Sequence, residues 1–171
     1  MTNEVLPPFG WIKFVTDNPS HKKPSAGSLK LNAGRMPTTL QRLKEISDIN
    51  YHYNMRMKPK SDGPVDTWTL GATSGDCEDY ALNKQAALFK LGWPSQVLRL
   101  AKVKTPSGED HCVLIVRTST GNFTLDNLTD KVFKFAETGY KLMSIQSENP
   151  NVWVSGLNNT FPKEYENGQH G

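Results

Sequence analysis

The feature that most constrains this chain is a change of period at Gly92-Trp93-Pro94. Before it apolar residues recur at helical spacing, and after it they alternate as strands do. Upstream, Leu40, Leu43, Ile46, Asn50, Tyr53 and Met57 mark one helical face. That helix is opened by Pro37, at a position proline tolerates, and ends before Pro59. A second helix is predicted from about Ser74 to Leu91, with Ser74 or Gly75 able to cap it, acids in its first turn, and Gly92 then Pro94 to stop it. Cys77, Tyr80, Ala81, Leu88 and Leu91 share its apolar face. Lys84 falls on the same face, which simple amphipathicity does not explain.

Downstream, strands are predicted at Gln96 to Val103, His111 to Arg117 and Phe123 to Asp126, with turns at Thr105-Pro106-Ser107-Gly108 and Ser119-Thr120-Gly121-Asn122. Weaker strands follow at Val132 to Phe135, Tyr140 to Ile145 and Val152 to Val154. Helices first and an antiparallel meander after them define an α+β fold. Residues 1–36, rich in Pro, Gly, Ser and Lys, are expected to be an extended arm that pins Trp11, Ile12, Phe14 and Val15 onto the body. Residues 37–155 are expected to be the catalytic domain and 156–171 a flexible tail.

Composition excludes several functions. A chain of 171 residues with a formal charge of +3 has too small an excess to argue for nucleic acid. The nearest basic run, Arg56-Met57-Lys58-Pro59-Lys60, reads as a solvated helix end. No apolar stretch approaches the roughly 18 residues that cross a bilayer, so no membrane insertion is expected. Met1 to Trp11 has no basic n-region, and Pro7 and Pro8 break its apolar run, so it is not read as a signal peptide. The 2 cysteines, without a Cys-x-x-Cys, make neither a disulfide framework nor a structural zinc site.

Cys77 stands in the first turn of its predicted helix, where unpaired N–H groups and the dipole favour a thiolate and can also receive an oxyanion. His111 opens a strand and Asp126 closes the next, so in a tight antiparallel pair the carboxylate can orient the imidazole. Cys77, His111 and Asp126 thus supply nucleophile, base and orienter for acyl transfer. The competing reading is a small buried thiol at Cys77 and a turn-forming acid at Asp126. Strand alternation adds that if His111 faces the helix, Cys112 faces away as a core thiol, and a disulfide between the cysteines is not expected.

Gly75-Asp76-Cys77-Glu78-Asp79-Tyr80-Ala81, Leu91-Gly92-Trp93-Pro94, His111-Cys112-Val113-Leu114 and Leu125-Asp126-Asn127-Leu128 together resemble the bacterial transglutaminase-like cysteine proteinases. Pro8-Phe9-Gly10-Trp11, Gly139-Tyr140 and Trp153-Val154 extend the resemblance from Pro8 to Val154. It implies a papain/transglutaminase-type fold, with a helix carrying Cys77 packed on an antiparallel sheet that carries His111 and Asp126. It implies Cys77 as nucleophile, His111 as general base and acid, and Asp126 as the orienting carboxylate. Its best-known members are calcium-dependent periplasmic proteases that release a surface adhesin. The chain departs from the pattern in lacking a signal peptide, in carrying Cys112 where a small residue such as Ala is usual, and in its tail after Val154. The first departure leaves a periplasmic address open against a cytoplasmic or phage-associated one.

Asp76, Glu78 and Asp79 suit a helix start but oppose a thiolate. At about 100° per residue, Asp76 and Asp79 lie together on the side away from Cys77. A cation there would offset the repulsion, and their oxygens suit Ca²⁺, as does the resemblance. Trp68 is a candidate oxyanion donor through its indole N–H, or a ring roofing the cleft or core. The expected activity is hydrolysis of a protein or peptide substrate through a Cys77 thioester. The alternatives are acyl transfer to an amine, cell-wall peptide amidase action, or a calcium-dependent binding module without catalysis.

Overall fold

The computed structural model describes residues 3–59, 68–70 and 74–156. Residues 60–67 and 71–73 of the expected mid-chain loop, and the expected tail from 157 onward, lie outside the described residues. In chain order the elements are β1 (Glu4–Val5), α1 (Phe9–Asp17), α2 (Leu40–Arg56), β2 (Lys58–Pro59), β3 (Ser74–Gly75) and α3 (Cys77–Lys90). Then follow β4 (Leu98–Lys104), β5 (Asp110–Thr118), β6 (Gly121–Asp126), β7 (Thr129–Lys134), α4 (Phe135–Thr138), β8 (Lys141–Gln146) and β9 (Trp153–Ser155).

Among the described residues, seven strands make one antiparallel sheet in the order β1-β9-β8-β4-β5-β6-β7. The α+β class is as the change of period implies. The meander is interrupted, however. β4 to β7 run as sequential neighbours, but after α4 the chain crosses back and β8 pairs with β4, which makes β4 and β5 central. Both are buried almost throughout, so their alternation is apolar on two faces, a pattern that local sequence cannot order within a sheet.

The main core lies between one sheet face and the helices. Leu100, Leu114 and Leu125 of the sheet pack with Ile46 of α2 and Leu82 and Leu88 of α3. Leu82 and Leu88 are fully buried, and each such side chain contributes about 1.5–3 kcal/mol. A second cluster, including Val103, Val113, Ile115 and Phe135, covers the opposite face.

Three local expectations are corrected. The expected extended arm is helical over α1, because Trp11, Phe14 and Val15 at i, i+3 and i+4 bury one stripe in the main core. α2 begins at Leu40 rather than Pro37, since the Thr39 hydroxyl caps it by accepting from Arg42 N at 3.2 Å. α3 is capped by Asp76, while Ser74 and Gly75 pair in parallel with Lys58 and Pro59. The stop of α3 is as expected: Trp93 N bonds to Leu88 O (3.1 Å) and Gly92 N to Phe89 O (3.0 Å) around a left-handed Gly92 at φ +94°. No described helix is long and apolar enough to cross a membrane.

Candidate active site

Cys77 is the first residue of α3, near Lys102 of β4 and its strand partner Cys112 of β5. The half-buried side chain packs against the main core beside Cys112. Its Sγ donates to Glu78 Oε2 at 3.3 Å, and Glu78 Oε1 accepts from Lys102 Nζ of β4 at 3.0 Å. Burial, then the charge of Cys112, then the charge and hydrogen bond of Glu78 push the thiol well above the ordinary range, with Lys102 opposing them. The helix dipole alone therefore does not make Cys77 a thiolate.

His111 and Asp126 meet as their strand ends suggest. His111 Nε2 lies 2.8 Å from Asp126 Oδ1, both side chains being buried. A carboxylate only accepts, so Nε2 is the donor and Nδ1 is the ring nitrogen left for a proton-transfer partner. Asp126 Oδ1 also accepts from Leu128 N at 3.0 Å, and Oδ2 accepts from the Tyr140 hydroxyl. Burial would raise the Asp126 carboxyl, yet the bonds from His111, Tyr140 and Leu128, with the His111 charge, hold it below the usual carboxylate range. Tyr140 packs edge-on against the His111 ring, with centroids 5.6 Å apart. Burial and then Asp126 raise its phenol above the ordinary range.

The face assignment within β5 reverses the premise used for Cys112. Cys112, Leu114 and Val116 line the helix-facing core, whereas Val113 and Ile115 belong to the opposite cluster. Cys112 therefore faces α3, and His111, paired with Val103, belongs to the other side. The thiol and the His111–Asp126 pair lie at one end of the sheet, and the described hydrogen bonds of Cys77 do not include His111. Neither cysteine is in a disulfide.

The acids also divide differently from their helical angles. Asp79 is turned to backbone: Oδ1 accepts from Thr69 N at 2.6 Å and Oδ2 from Asp76 N at 3.1 Å, the returning half of a capping box. Glu78 lies beside Asp76. Burial would raise its carboxyl, but the Asp76 side chain and Lys102 bring it down to about 2. Among the described residues no three His, Cys, Asp or Glu side chains converge on a point that could hold a metal ion. Of the three acids expected to hold calcium, Glu78 is engaged by Cys77 Sγ and Lys102 Nζ, and Asp79 by the helix start. Trp68 is buried against Trp11 and Trp153, with centroids 6.0 and 6.4 Å apart, the packing expected of a core ring.

Four participants escape sequence reading. Lys102 is visible only as a charged position in an otherwise apolar strand, and Tyr140 only through Gly139-Tyr140. Asn50 and Asn54 look like ordinary helix residues, yet both hold the turn after Asp126.

An antiparallel sheet packed on a helix that begins with a thiol, with a histidine–carboxylate pair at the same sheet end, is the architecture of the papain and transglutaminase class. The chain belongs to the bacterial transglutaminase-like cysteine proteinases (BTLCP), whose family model matches residues 1–160. Solved structures of Legionella pneumophila LapG share the fold. The calcium-bound form is 20% identical, with 78% of this chain and 81% of that one covered at a TM-score of 0.59. A second LapG structure is 22% identical over 65% and 67% of the two chains, with a TM-score of 0.56. An EGTA-treated form is 17% identical over 78% and 80%, with a TM-score of 0.57. No curated protein matches the chain.

Proposed function

We propose that the protein is a cysteine peptidase in which Cys77 attacks the carbonyl carbon of a peptide bond in a protein substrate. The observation that carries this reading is the buried 2.8 Å bond between His111 Nε2 and Asp126 Oδ1, at the sheet end on which the Cys77 helix starts. In the first half-reaction Cys77, seated beside Cys112 on the helix-facing side, has to meet His111 Nδ1 around the sheet end. It gives its proton there, and the thiolate adds to the carbonyl carbon, leaving a tetrahedral oxyanion facing the N–H groups at the start of α3. His111 returns the proton to the leaving amine as the C–N bond breaks, leaving a thioester. Water, deprotonated by His111, then displaces Cys77 and releases the acid. Asp126 keeps the proton on Nε2, so that Nδ1 serves the reaction.

Calcium fits this reading through Asp76 and Glu78, whose adjoining carboxylates would hold it while Asp79 fixes the helix start beneath them. The calcium-bound form of LapG supports an ion in this reading. When bound, the ion supplies positive charge near the thiol. The same Cys77, His111 and Asp126 would serve acyl transfer to an amine if an amine reached the thioester before water.

The test compares wild type with Cys77→Ala, treated with an acylating thiol probe, with calcium and with chelator. Labelling of wild type at Cys77, promoted by calcium, is expected. Labelling confined to Cys112, or equal labelling of both proteins, refutes the enzyme reading. Calorimetric titration with no calcium binding removes the ion from it.

A further inference from the structure

Lys84 is the buried group that the chemistry above does not use. Two turns into α3 a lysine is completely buried, in a position where a leucine would satisfy the helix–sheet core. Among the described residues its ammonium has no carboxylate within hydrogen-bond distance. Nζ donates to Asn50 Oδ1 at 2.8 Å and to Asn54 Oδ1 at 2.7 Å, both on α2, and lies over the Tyr80 ring at 5.7 Å from its centroid.

What these two bonds impose is a direction. A lysine gives N–H to oxygen, so each asparagine must turn Oδ1 toward Lys84 and Nδ2 the other way. The outward amides both meet the β6–β7 turn. Asn54 Nδ2 lies 2.9 Å from Asp126 O, 3.1 Å from Thr129 O and 3.2 Å from Asp130 Oδ1. Asn50 Nδ2 lies 3.0 Å from Thr129 O and 3.1 Å from Asp130 O. The turn between β6 and β7 is short, with Asp126 directly paired to Thr129. Its backbone therefore has little freedom once these carbonyls are held, and the Asp126 carboxylate that accepts from His111 leaves from the same residue.

We propose that Lys84 is a positioning residue for the reaction: through Asn50 and Asn54 it locks the β6–β7 turn, and with it the Asp126 carboxylate that fixes His111. The role in catalysis rests on the peptidase reading, whereas the positioning itself does not. Removing the lysine frees each amide to rotate, and an amide turned by half a revolution sets Oδ1 against the carbonyls of Asp126, Thr129 and Asp130. The turn then loses its donors and gains oxygen–oxygen repulsion. Burial brings Lys84 down to about 7, opposed by the charges of Asp126 and Asp130. The lock survives that change, because a neutral amine still carries two N–H bonds for its two acceptors.

The experiment reads the His111 Nε2 proton directly by NMR on the full chain labelled with ¹⁵N, using Asp126→Asn as the reference for a lost carboxylate. In wild type the proton is expected to be shifted far downfield and to exchange slowly, because it is buried on Asp126. In Lys84→Met and in Asn54→Ala its exchange is expected to quicken at least tenfold, toward the Asp126→Asn behaviour. Leu88→Ala destabilises the same helix without touching the network and is expected to leave the proton protected. A purely structural role would lower thermal stability in all three variants and move the proton equally in each. Asn54 is only half-buried, so Asn54→Ala decides the matter if Lys84→Met does not fold. An unchanged exchange rate in folded Asn54→Ala, or the same acceleration in Leu88→Ala, overturns the proposal. Loss of protection in a protein whose Cys77 proves unreactive upholds the positioning and refutes the peptidase reading alone.

Discussion

Replacing Glu78 by Gln is expected to make Cys77 more reactive. Glu78 Oε2 accepts the Sγ proton at 3.3 Å, so a thiolate at Cys77 would face a carboxylate at contact distance on half-buried ground. Two like charges about 4 Å apart repel by about 4 kcal/mol at an effective dielectric constant of 20. Lys102, 3.0 Å from the same carboxylate, cancels part of this. A net cost on the order of 1–2 kcal/mol remains, which corresponds to about a tenfold loss of thiolate at a given pH. Glu78→Gln removes the charge and leaves Lys102 facing the sulfur, so both changes favour the thiolate. The assay is the rate of alkylation by iodoacetamide between pH 6 and 10, with chelator present, in a Cys112→Ala background so that one thiol reports. The pH–rate profile should move about one unit toward acid, read as at least a tenfold faster rate at each pH of the range. Lys102→Met should move it the other way. A Glu78→Gln variant that alkylates no faster than its parent would refute the reasoning, because it would mean that the carboxylate does not set the ionisation of Cys77.

Two further outcomes are expected. Tyr140→Phe removes the hydroxyl from which Asp126 Oδ2 accepts and should cost about 1.5 kcal/mol in urea unfolding at neutral pH, the low end for a charged acceptor because Tyr140 is half-buried. Asp126 is held below its unfolded value, so its contribution is present above the ordinary carboxylate range and is lost as pH falls through the folded value; the cost of Tyr140→Phe should vanish there. Lys84 titrates at about 7 when folded against 10.5 when unfolded, so between those limits the unfolded chain holds the extra proton and stability rises with pH. Urea unfolding from pH 7 to 10 should show wild type gaining on the order of 4 kcal/mol relative to Lys84→Met, and a flat difference would contradict a Lys84 that burial turns neutral in the folded chain.

The parts of the site legible from sequence are those decided by near neighbours along the chain. Cys77 at a helix start follows from acids in the first turn and from Gly92 and Pro94 at the far end, and α3 begins at Cys77 itself. The meeting of His111 with Asp126 follows from strand ends joined through one short turn, and their bond is present. Family membership was legible because the Gly75 to Ala81 block and the motifs after it are short, ordered and specific.

Sequence alone thus determined the order of helices and strands, the place of Cys77 on its helix, and the pairing of two strand ends, all set by periodicity, caps and turns. Only the tertiary structure decided which face each alternating residue occupies, which strand lies beside which, and what a buried lysine touches. Alternation specifies that Cys112 and His111 point oppositely, but not which of them meets α3. That choice belongs to Leu114 and Val116, which must join a core assembled from α1, α2 and α3. Lys84 likewise found Asn50 and Asn54 across 34 and 30 residues of chain, because packing α2 against α3 brought amides to a donor that no local rule could satisfy.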